Sequence, residues 1–383
     1  MNSNIGYKNK QTNMQFNDLG KQWQTIREVV LEKIDKLGHE GSYINGKSVT
    51  EFEQQFAEYF NSKYAIGVSN GTDGLKLALQ TYDLKSSDLV IMPANTFIAD
   101  YLAVKNLPSD KPKIALVDQN EHFTIDVNSL ESFLEKWRTV YGKVVVIPVH
   151  LYGQACDMDK IVELSKKYDF GILEDCSQSH ETRYKGNHLG SYGDMAVYSL
   201  YPGKNLGAAG DAGIITTNSE ELNTRLRSLR NYGSKVKYYY DELGNNHRLD
   251  SMQAIVLSEK LKHLKSWTMT KNEIVTRFLN EMNNDKVTLP KVYGDCTTHS
   301  YHIFCVMVDD RQAFEKHMAS NGVTTIIHYP IPIHKTSIFD SSMDVVYSSK
   351  ITDEWADKIV SLPIHPFLTT EEVDLIINSV NSF

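Results

Sequence analysis

Short, continuously apolar runs recur through the first two thirds of the chain, and segments with helical spacing lie between several of them. The runs are YAIGVS (64–69), LVIMPA (89–94), KIALVD (113–118), KVVVIPVH (143–150), FGILED (170–175), MAVYSLY (195–201) and AGIITT (212–217). A strand that is buried on both faces is apolar along its whole length, whereas a half-exposed strand alternates. The runs therefore predict an α/β architecture whose main sheet is covered on both sides.

The two ends of the chain show a different pattern. Residues 1–14 are polar and predict a loose N-terminal arm. Residues 250–284 predict one long or broken helix, and short apolar runs and further helices follow it. We therefore predict a large domain over residues 15–255 and a smaller C-terminal α+β domain over residues 256–383.

Composition and charge narrow the functional classes. Lys and Arg number 40 against 48 Asp and Glu, and the net charge of −8 disfavours non-specific binding to nucleic acid. No apolar run approaches the roughly 20 residues of a membrane span, and the N-terminus has no apolar signal core. The four cysteines show no CxxC pairing, so we predict neither a metal site nor a disulfide framework. These features predict a cytoplasmic enzyme that binds neither membranes nor nucleic acid.

The segment SNGTDGLKLAL (69–79) places a Gly-Thr turn between a predicted strand and a predicted helix. Free backbone N–H groups at the start of a helix attract anions, so Gly71 and Thr72 are candidates for binding a phosphate group. The alternative is an ordinary strand-to-helix turn capped by Thr72 or Asp73.

Two further segments carry groups that are suited to cofactor chemistry. FGILEDCSQSH (170–180) ends a buried strand with Asp175, at the edge where α/β proteins bind ligands, and Gln178 follows. YSLYPGKNLGAAGDAG (198–213) places Lys204 in a glycine-bearing loop, with Ser199 nearby. A lysine that is held in a folded loop can lose its proton and act as a nucleophilic amine. The alternatives are that Asp175 caps the following segment and that Lys204 is an ordinary solvent-exposed lysine.

Together these three segments match the requirements of pyridoxal phosphate (PLP). The anion site holds its phosphate, an aspartate keeps its pyridine nitrogen protonated, and a lysine holds its aldehyde. A dinucleotide-binding dehydrogenase would instead need a GxGxxG turn, and SNGTDG does not supply that spacing.

Segments along most of the chain resemble the DegT/DnrJ/EryC1/StrS family of PLP-dependent sugar aminotransferases. They are GSYINGKSVTEFE (41–53), GVSNGTDGL (67–75), PANTFIAD (93–100), HLYGQACDMDKI (150–161), EDCSQSH (174–180), YKGNHLGSYGD (184–194), SLYPGKNLGAAGDAG (199–213), LRNYGS (229–234), GNNHRLDSMQA (244–254), HYPIPIH (328–334) and SLPIHPFLT (361–369). The resemblance implies an aspartate aminotransferase-like fold (PLP fold type I). Its large domain would hold a mixed, mostly parallel sheet of seven strands.

The resemblance also implies roles for individual residues. Lys204 would bind the cofactor covalently and then relay a proton, and Asp175 would pair with the pyridine nitrogen. The other implied cofactor contacts are Gln178 at the ring hydroxyl, Phe97 stacked on the ring, and Gly71, Thr72 and Ser199 at the phosphate. Asn246, with Asn245 as the alternative, would contact the phosphate in the neighbouring subunit, which implies a homodimer with shared active sites.

The implied reaction moves an amino group from L-glutamate, which leaves as 2-oxoglutarate, to a keto sugar through the pyridoxamine phosphate form of the cofactor. The sequence YPGKNLGA around Lys204 resembles that of the family branch that acts on dTDP-linked 3-keto-6-deoxyhexoses. The product would be a dTDP-3-amino-3,6-dideoxyhexose, galacto or gluco, for bacterial polysaccharides such as O-antigen lipopolysaccharide or for natural products. The alternative substrate is a 4-keto-6-deoxy sugar nucleotide. A related dehydratase branch carries His where Lys204 stands, so Lys204 favours amino transfer.

The segment 232–248 is rich in basic and aromatic residues and predicts a flap over the nucleotide, contributed partly by the neighbouring subunit. Lys237, Tyr239 and Arg248 are its candidate substrate contacts, and His328 and Tyr329 are candidates elsewhere. The alternative for the flap is an ordinary exposed loop.

Besides Asn245, which stands where an aromatic residue is usual, three positions depart from the usual family pattern and leave the substrate fit open. Glu181 and Thr182 stand where a Gly and a small residue are usual, and Ala212 replaces a usual Gly. Two other classes also stay open: a regulatory protein that binds PLP without turnover, and a different PLP reaction on a sugar.

Overall fold

The computed structural model describes residues 14–108 and 110–383 of the chain. Its helices are α1 (Leu19–Gln24), α2 (Arg27–Glu40), α3 (Lys47–Tyr59), α4 (Gly71–Gln80), α5 (Ala99–Lys105), α6 (Val127–Trp137), α7 (Met158–Tyr168), α8 (Glu220–Leu229), α9 (Ser251–Leu261), α10 (Leu264–Glu281), α11 (Arg311–Ser320), α12 (Lys350–Trp355) and α13 (Thr370–Asn381). Its strands are β1 (Tyr64–Val68), β2 (Leu89–Pro93), β3 (Lys113–Val117), β4 (Val144–Val146), β5 (Gly171–Asp175), β6 (Arg183–Tyr184), β7 (Asn187–His188), β8 (Met195–Ser199), β9 (Gly213–Thr217), β10 (Val287–Thr288), β11 (Cys296–Thr298), β12 (Phe304–Val308), β13 (Val345–Val346) and β14 (Ile359–Leu362). The predicted arm lies outside the described residues except for Met14, which is buried.

Eight strands form one mixed sheet in the order β1-β9-β8-β5-β4-β2-β3-β13. Neighbours from β8 to β13 in this order are parallel, and β9 runs antiparallel to both β1 and β8. All seven predicted strands are present, so the predicted mostly parallel sheet is confirmed. The sheet has eight strands and not the predicted seven, because the C-terminal region adds β13, which pairs with β3.

The sheet is buried on both faces, as the continuous apolar runs predict. In β2, Ile91 packs into the apolar cluster on one face, and Val90 and Met92 pack into the cluster on the other. α3 contributes to the first cluster and α4 to the second. Since helices cover both faces, functional groups are accessible at the ends of the strands.

The C-terminal region has an α+β core of its own. β10, β12 and β14 form an antiparallel sheet, which packs with apolar residues of α10, α11 and α13. The predicted domain boundary falls within α9 and stays a prediction. No described helix is both long and apolar enough to cross a membrane.

The topology brings three strand ends together at one edge of the main sheet. β5 and β8 are parallel neighbours, and β9 begins at Gly213, opposite both Val68 of β1 and Ser199 of β8. A Cβ on Gly213 would lie 2.5 Å from the carbonyl carbon of Asn70, so glycine is needed for this close approach. The segments that carry Gly71, Asp175 and Ser199 therefore meet.

Candidate active site

A cavity of about 730 Å³ opens at this edge of the sheet. Nine of the predicted site residues line it: Gly71, Thr72, Phe97, Asp175, Gln178, Ser199, Lys204, His328 and Tyr329. The structure thus brings together residues that are far apart in sequence. The remaining candidates, Lys237, Tyr239, Asn246 and Arg248, do not line the cavity of their own chain.

One wall of the cavity is the N-terminus of α4. Asn70 caps the helix, and its Oδ1 accepts the backbone N–H of Asp73 at 2.8 Å. Gly71 packs closely against Ser199, since a Cβ at position 71 would lie 2.8 Å from the Ser199 Cβ. The first N–H groups of the helix and the Ser199 hydroxyl therefore face the same space, which suits an anion.

Lys204 follows β8 in a tight loop whose shape is fixed by its backbone N–H, which donates to Tyr201 O at 2.8 Å. Burial lowers the pKa of the Lys204 amine to about 8, although nearby Asp175 and, to a smaller extent, Asp100 oppose the change. Lowering the pKa of a lysine raises the fraction of neutral, nucleophilic amine at physiological pH. The surroundings of Lys204 are therefore those of a reactive lysine and not of a solvated one.

Asp175 and Gln178 also line the cavity, and both are buried. The Asp175 Oδ1 accepts the backbone N–H of Ser177 at 2.9 Å. The Gln178 Oε1 accepts the Tyr152 N–H at 2.7 Å, and its Nε2 donates to the Tyr329 hydroxyl at 3.0 Å. Because an amide nitrogen carries two hydrogens, Gln178 keeps one donor for a ligand.

A buried network behind Asp175 fixes the end of β5. The neighbouring Glu174 accepts the backbone N–H groups of Gly190, Tyr192 and Gly193 at 2.8–2.9 Å, and its Oε2 lies 3.2 Å from the His150 Nε2. The other ring nitrogen of His150 accepts the Cys156 N–H at 3.1 Å. Glu174 and Asp175 are adjacent acids in the sequence, but the structure separates their roles. Glu174 holds backbone N–H groups in place, and Asp175 lines the cavity.

The C-terminal region closes the cavity with His328 and Tyr329. The Tyr329 ring lies 5.3 Å from the ring of Phe97, which is 49% exposed. The His328 Nδ1 lies 2.9 Å from the Ser361 hydroxyl. Burial, together with nearby Lys204, lowers the pKa of His328 to about 4. His328 is therefore uncharged at neutral pH and can contribute hydrogen bonds but no positive charge.

The predicted flap, residues 232–248, has an anchored end and an exposed tip. At the anchored end, His247 Nδ1 lies 3.1 Å from the Asp73 carboxylate, and the Arg248 Nη1 donates to Asn231 Oδ1 at 3.2 Å. At the tip, Lys237 and Tyr239 are exposed, and Tyr239 retains 69% of its accessible surface.

The flap carries the remaining candidate near its anchored end. Asn246 is exposed and forms a bridge to Asn231. Since none of the flap candidates lines the chain's own cavity, any contact that they make with a site must involve another subunit or movement of the segment.

Two of the departures from the family pattern are explained by local structure. Glu181 has φ +70°, a conformation that favours glycine, and its carboxylate accepts the Tyr59 hydroxyl at 2.6 Å. The Thr182 hydroxyl donates to Gly153 O at 2.8 Å. Neither side chain lines the cavity, whereas Ala212 does. Of these three residues, Ala212 is therefore the one that lies where a ligand in the cavity could contact it.

The chain belongs to the DegT/DnrJ/EryC1/StrS aminotransferase family, whose profile matches residues 24–381. It is 40% identical to the dTDP-3-amino-3,6-dideoxy-α-D-galactopyranose transaminase of Aneurinibacillus thermoaerophilus, over 96% of this chain and 99% of that one. The crystal structure of Streptomyces venezuelae DesV in complex with a ketimine intermediate superposes with a TM-score of 0.89, at 34% identity and with 97% and 98% of the two chains covered. Bacillus subtilis NtdA with bound cofactor PMP gives a TM-score of 0.85 at 28% identity, covering 97% of this chain and 86% of that one.

Family membership confirms the predicted class, a PLP-dependent sugar aminotransferase. The cavity itself suits that cofactor. It combines the N-terminus of a helix, a lysine whose pKa is lowered by burial, and a buried carboxylate, all lining one cavity.

Sequence reasoning missed Asp100, Tyr152 and His302. His302 lines the cavity, and Tyr152 positions Gln178 through its backbone N–H. Asp100 is buried beside Asp175. Acidic residues are common in the first turn of a helix, so the sequence gives no signal that distinguishes Asp100 from an ordinary helix-start residue.

Proposed function

We propose that the protein transfers an amino group from L-glutamate to a dTDP-linked 3-keto-6-deoxyhexose and forms a dTDP-3-amino-3,6-dideoxyhexose. The observation that carries the proposal is the 40% identity, over nearly the full length of both chains, to a transaminase named for the galacto form of that product. A glycosyl-transfer reaction in the assembly of a surface polysaccharide or a natural product would then consume the amino sugar.

The position of amination is tested with ¹⁵N-labelled L-glutamate and two keto sugars. The purified protein, PLP and labelled glutamate are incubated with a dTDP-3-keto-6-deoxyhexose or with the 4-keto isomer, and NMR locates the label. The proposal expects ¹⁵N on C3 and turnover of the 3-keto sugar only. Label on C4 would contradict the substrate assignment but keep the class, and unlabelled product would indicate a different PLP reaction.

Lys204 is proposed as the residue that binds the cofactor and moves the proton. PLP, when bound, supplies an aldehyde that carries the amino group and a ring that takes up electrons. The half-buried amine of Lys204 is neutral often enough to attack a carbonyl, because burial lowers its pKa to about 8. The same Nζ, in the cavity wall, can then accept and return a proton at the reacting carbon.

The other cofactor contacts are proposed from their positions in the cavity. Asp175 is a buried carboxylate suited to hold a positive charge on the ring nitrogen, and Gln178 keeps one N–H for the ring hydroxyl. Phe97 presents an exposed ring to the cavity. Gly71, Thr72 and Ser199 lie at the helix N-terminus, where a phosphate is stabilised by backbone N–H groups.

The lowered pKa of Lys204 predicts how the cofactor-free protein reacts with PLP as pH changes. The protonated amine cannot attack the aldehyde, so the second-order rate should rise with pH and level off above about 8. Near pH 7 the neutral fraction would be roughly a few hundredfold larger than for an ordinary lysine of pKa about 10.4. Stopped-flow absorbance between pH 6 and 10 measures this profile. A rate that keeps rising to pH 10 would show that burial does not lower the pKa of this amine.

We further propose a homodimer in which residues 232–248 of one subunit cover the cavity of its partner. Support comes from the exposed tip, with Tyr238, Tyr239 and Tyr240 each 63–74% exposed, and from the exposed Asn246 near the anchored end. Basic side chains on the segment suit the diphosphate of a sugar nucleotide.

Replacing Lys237 with alanine is expected to raise the KM for the sugar nucleotide about tenfold, because a charge-assisted hydrogen bond to phosphate is worth about 1.5 kcal/mol. The KM for L-glutamate, which carries no diphosphate, should not change. Lys166→Ala, which removes an exposed lysine from α7, is the matched control. If the sugar-nucleotide KM of Lys237→Ala equals that of the control, this residue does not contact the nucleotide.

A cytoplasmic location is also proposed. The four cysteines are free thiols in buried positions, and none is paired in a disulfide. Free thiols are typical of proteins in a reducing compartment.

A further inference from the structure

A second acid lies directly behind Asp175. Asp100, in the first turn of α5, is fully buried and does not line the cavity. Its Oδ2 accepts the hydroxyl of Thr96 at 2.8 Å. Among the described residues, no N–H or O–H group donates a hydrogen bond to its Oδ1. The Asp100 carboxyl group nevertheless lies within hydrogen-bonding reach of the Asp175 carboxyl group. Of the two neighbouring acids, Asp175 lines the cavity and Asp100 does not.

Two buried carboxyl groups within hydrogen-bonding reach of each other do not both ionise, because the repulsion and the loss of hydration are each costly. One of the pair therefore holds a proton. A buried oxygen without a partner is also costly, and a proton on Asp100 Oδ1 that is donated to Asp175 removes both costs at once.

The hydrogen bonds of the two side chains differ. Asp175 accepts the Ser177 N–H at 2.9 Å and lies near the Lys204 amine. Asp100 accepts the Thr96 hydroxyl and its own backbone N–H, but burial, followed by repulsion from Asp175, raises its pKa well above the ordinary value. Asp100 is therefore the neutral partner and Asp175 the carboxylate.

We propose that Asp100 is a positioning residue: as a neutral acid it donates its proton to Asp175, keeps that carboxylate ionised and fixes its orientation toward the cavity. It also holds Thr96, which lines the same cavity, so one buried acid orients two side chains of the wall. The inference rests on the proposed role of Asp175 at the cofactor ring nitrogen. It assigns to Asp100 no contact with cofactor or substrate.

The test compares two replacements of Asp100. In Asp100→Asn, the amide N–H donates to Asp175 permanently and the amide oxygen accepts from Thr96, so it imitates the neutral acid. Asp100→Leu has a similar volume but no donor. The dissociation constant for PLP is measured by equilibrium dialysis, and the thermal unfolding of each cofactor-free variant is measured alongside.

Asp100→Asn is expected to bind PLP within about threefold of the wild type, and Asp100→Leu at least about tenfold more weakly, since a hydrogen bond to a charged group is lost. Asp100→Leu should unfold no more readily than the wild type, because an apolar side chain fits a dry pocket. Equal weakening by both variants, or by neither, would overturn the proposal.

Two further measurements keep the outcome interpretable. Infrared spectroscopy of the wild type at pH 8 should show a protonated carboxyl band that Asp100→Asn lacks, and absence of this band from the wild type would overturn the proposal even if Asp100→Leu fails to fold. Asp175→Asn tests the underlying role separately. If Asp175→Asn binds PLP as tightly as the wild type, and the wild type shows the infrared band, then Asp175 does not have the proposed role at the cofactor. The assignment of the proton to Asp100 would still hold.

Discussion

Replacing Lys204 with alanine is expected to lower kcat for transamination by about 10⁴-fold or more, because general acid–base catalysis alone contributes up to about that factor. The fold should be as stable as the wild type or more stable. Within residues 14–108 and 110–383 the Lys204 side chain makes no hydrogen bond or ion pair, so its removal leaves no partner exposed and ends the cost of burying an amine. Steady-state kinetics and thermal unfolding of the same preparation measure both effects.

Two comparisons make the loss of activity specific. Lys204→Arg should not restore turnover, because a guanidinium group stays protonated and cannot act as a base or nucleophile. Lys271 is a buried lysine that lines a small neighbouring pocket together with Lys204, but its Nζ donates to Asn205 Oδ1 and to the carbonyls of Ser300 and Tyr301 at 2.6–3.0 Å. Lys271→Ala should therefore lower the melting temperature, which Lys204→Ala should not. A Lys204→Ala variant with more than a few per cent of wild-type kcat would contradict the assigned role.

Replacing Glu53 with alanine is expected to destabilise the fold by about 3–5 kcal/mol, the range for removing one partner of a buried ion pair. Glu53, on α3, is buried, and its Oε1 accepts the N–H of Gly67 at 2.8 Å and the guanidinium of Arg230. Its Oε2 accepts from Arg227 at 2.8 Å. Truncation would leave the buried charge of Arg230 without its carboxylate and would loosen β1, the strand that leads into the N-terminus of α4.

Chemical denaturation measures the free energy of unfolding of this variant against a control on the same helix. Glu51 pairs with Lys47 at 3.0 Å, but both side chains are exposed. Glu51→Ala should therefore cost less than about 1 kcal/mol. Comparable losses for the two variants would show that Glu53 is not a buried anchor of β1.

The main sheet could be predicted from the sequence because burial on both faces makes seven strands continuously apolar. β13 could not, because Val345 and Val346 form only two residues of strand and both are exposed. Residues at strand ends, such as Asp175 and Ser199, are predictable because the fold class places ligands there. Asp100 is not, because its importance depends on Asp175, which comes from a distant strand. The position of residues 232–248 over a site is a proposal, because it requires a second subunit, which one sequence does not describe.

We propose that Lys204 and its cavity exchange an amino group between L-glutamate and a keto sugar through bound PLP. Following the two halves of this reaction separately tests the claim. The PLP-loaded protein is mixed with L-glutamate alone, and the visible absorbance of the cofactor and the release of 2-oxoglutarate are followed. We expect the absorbance to disappear with about one 2-oxoglutarate formed per subunit, and to return when a dTDP-3-keto-6-deoxyhexose is added. An absorbance that L-glutamate leaves unchanged, or that Lys204→Ala still loses and regains at the wild-type rate, would contradict the claim.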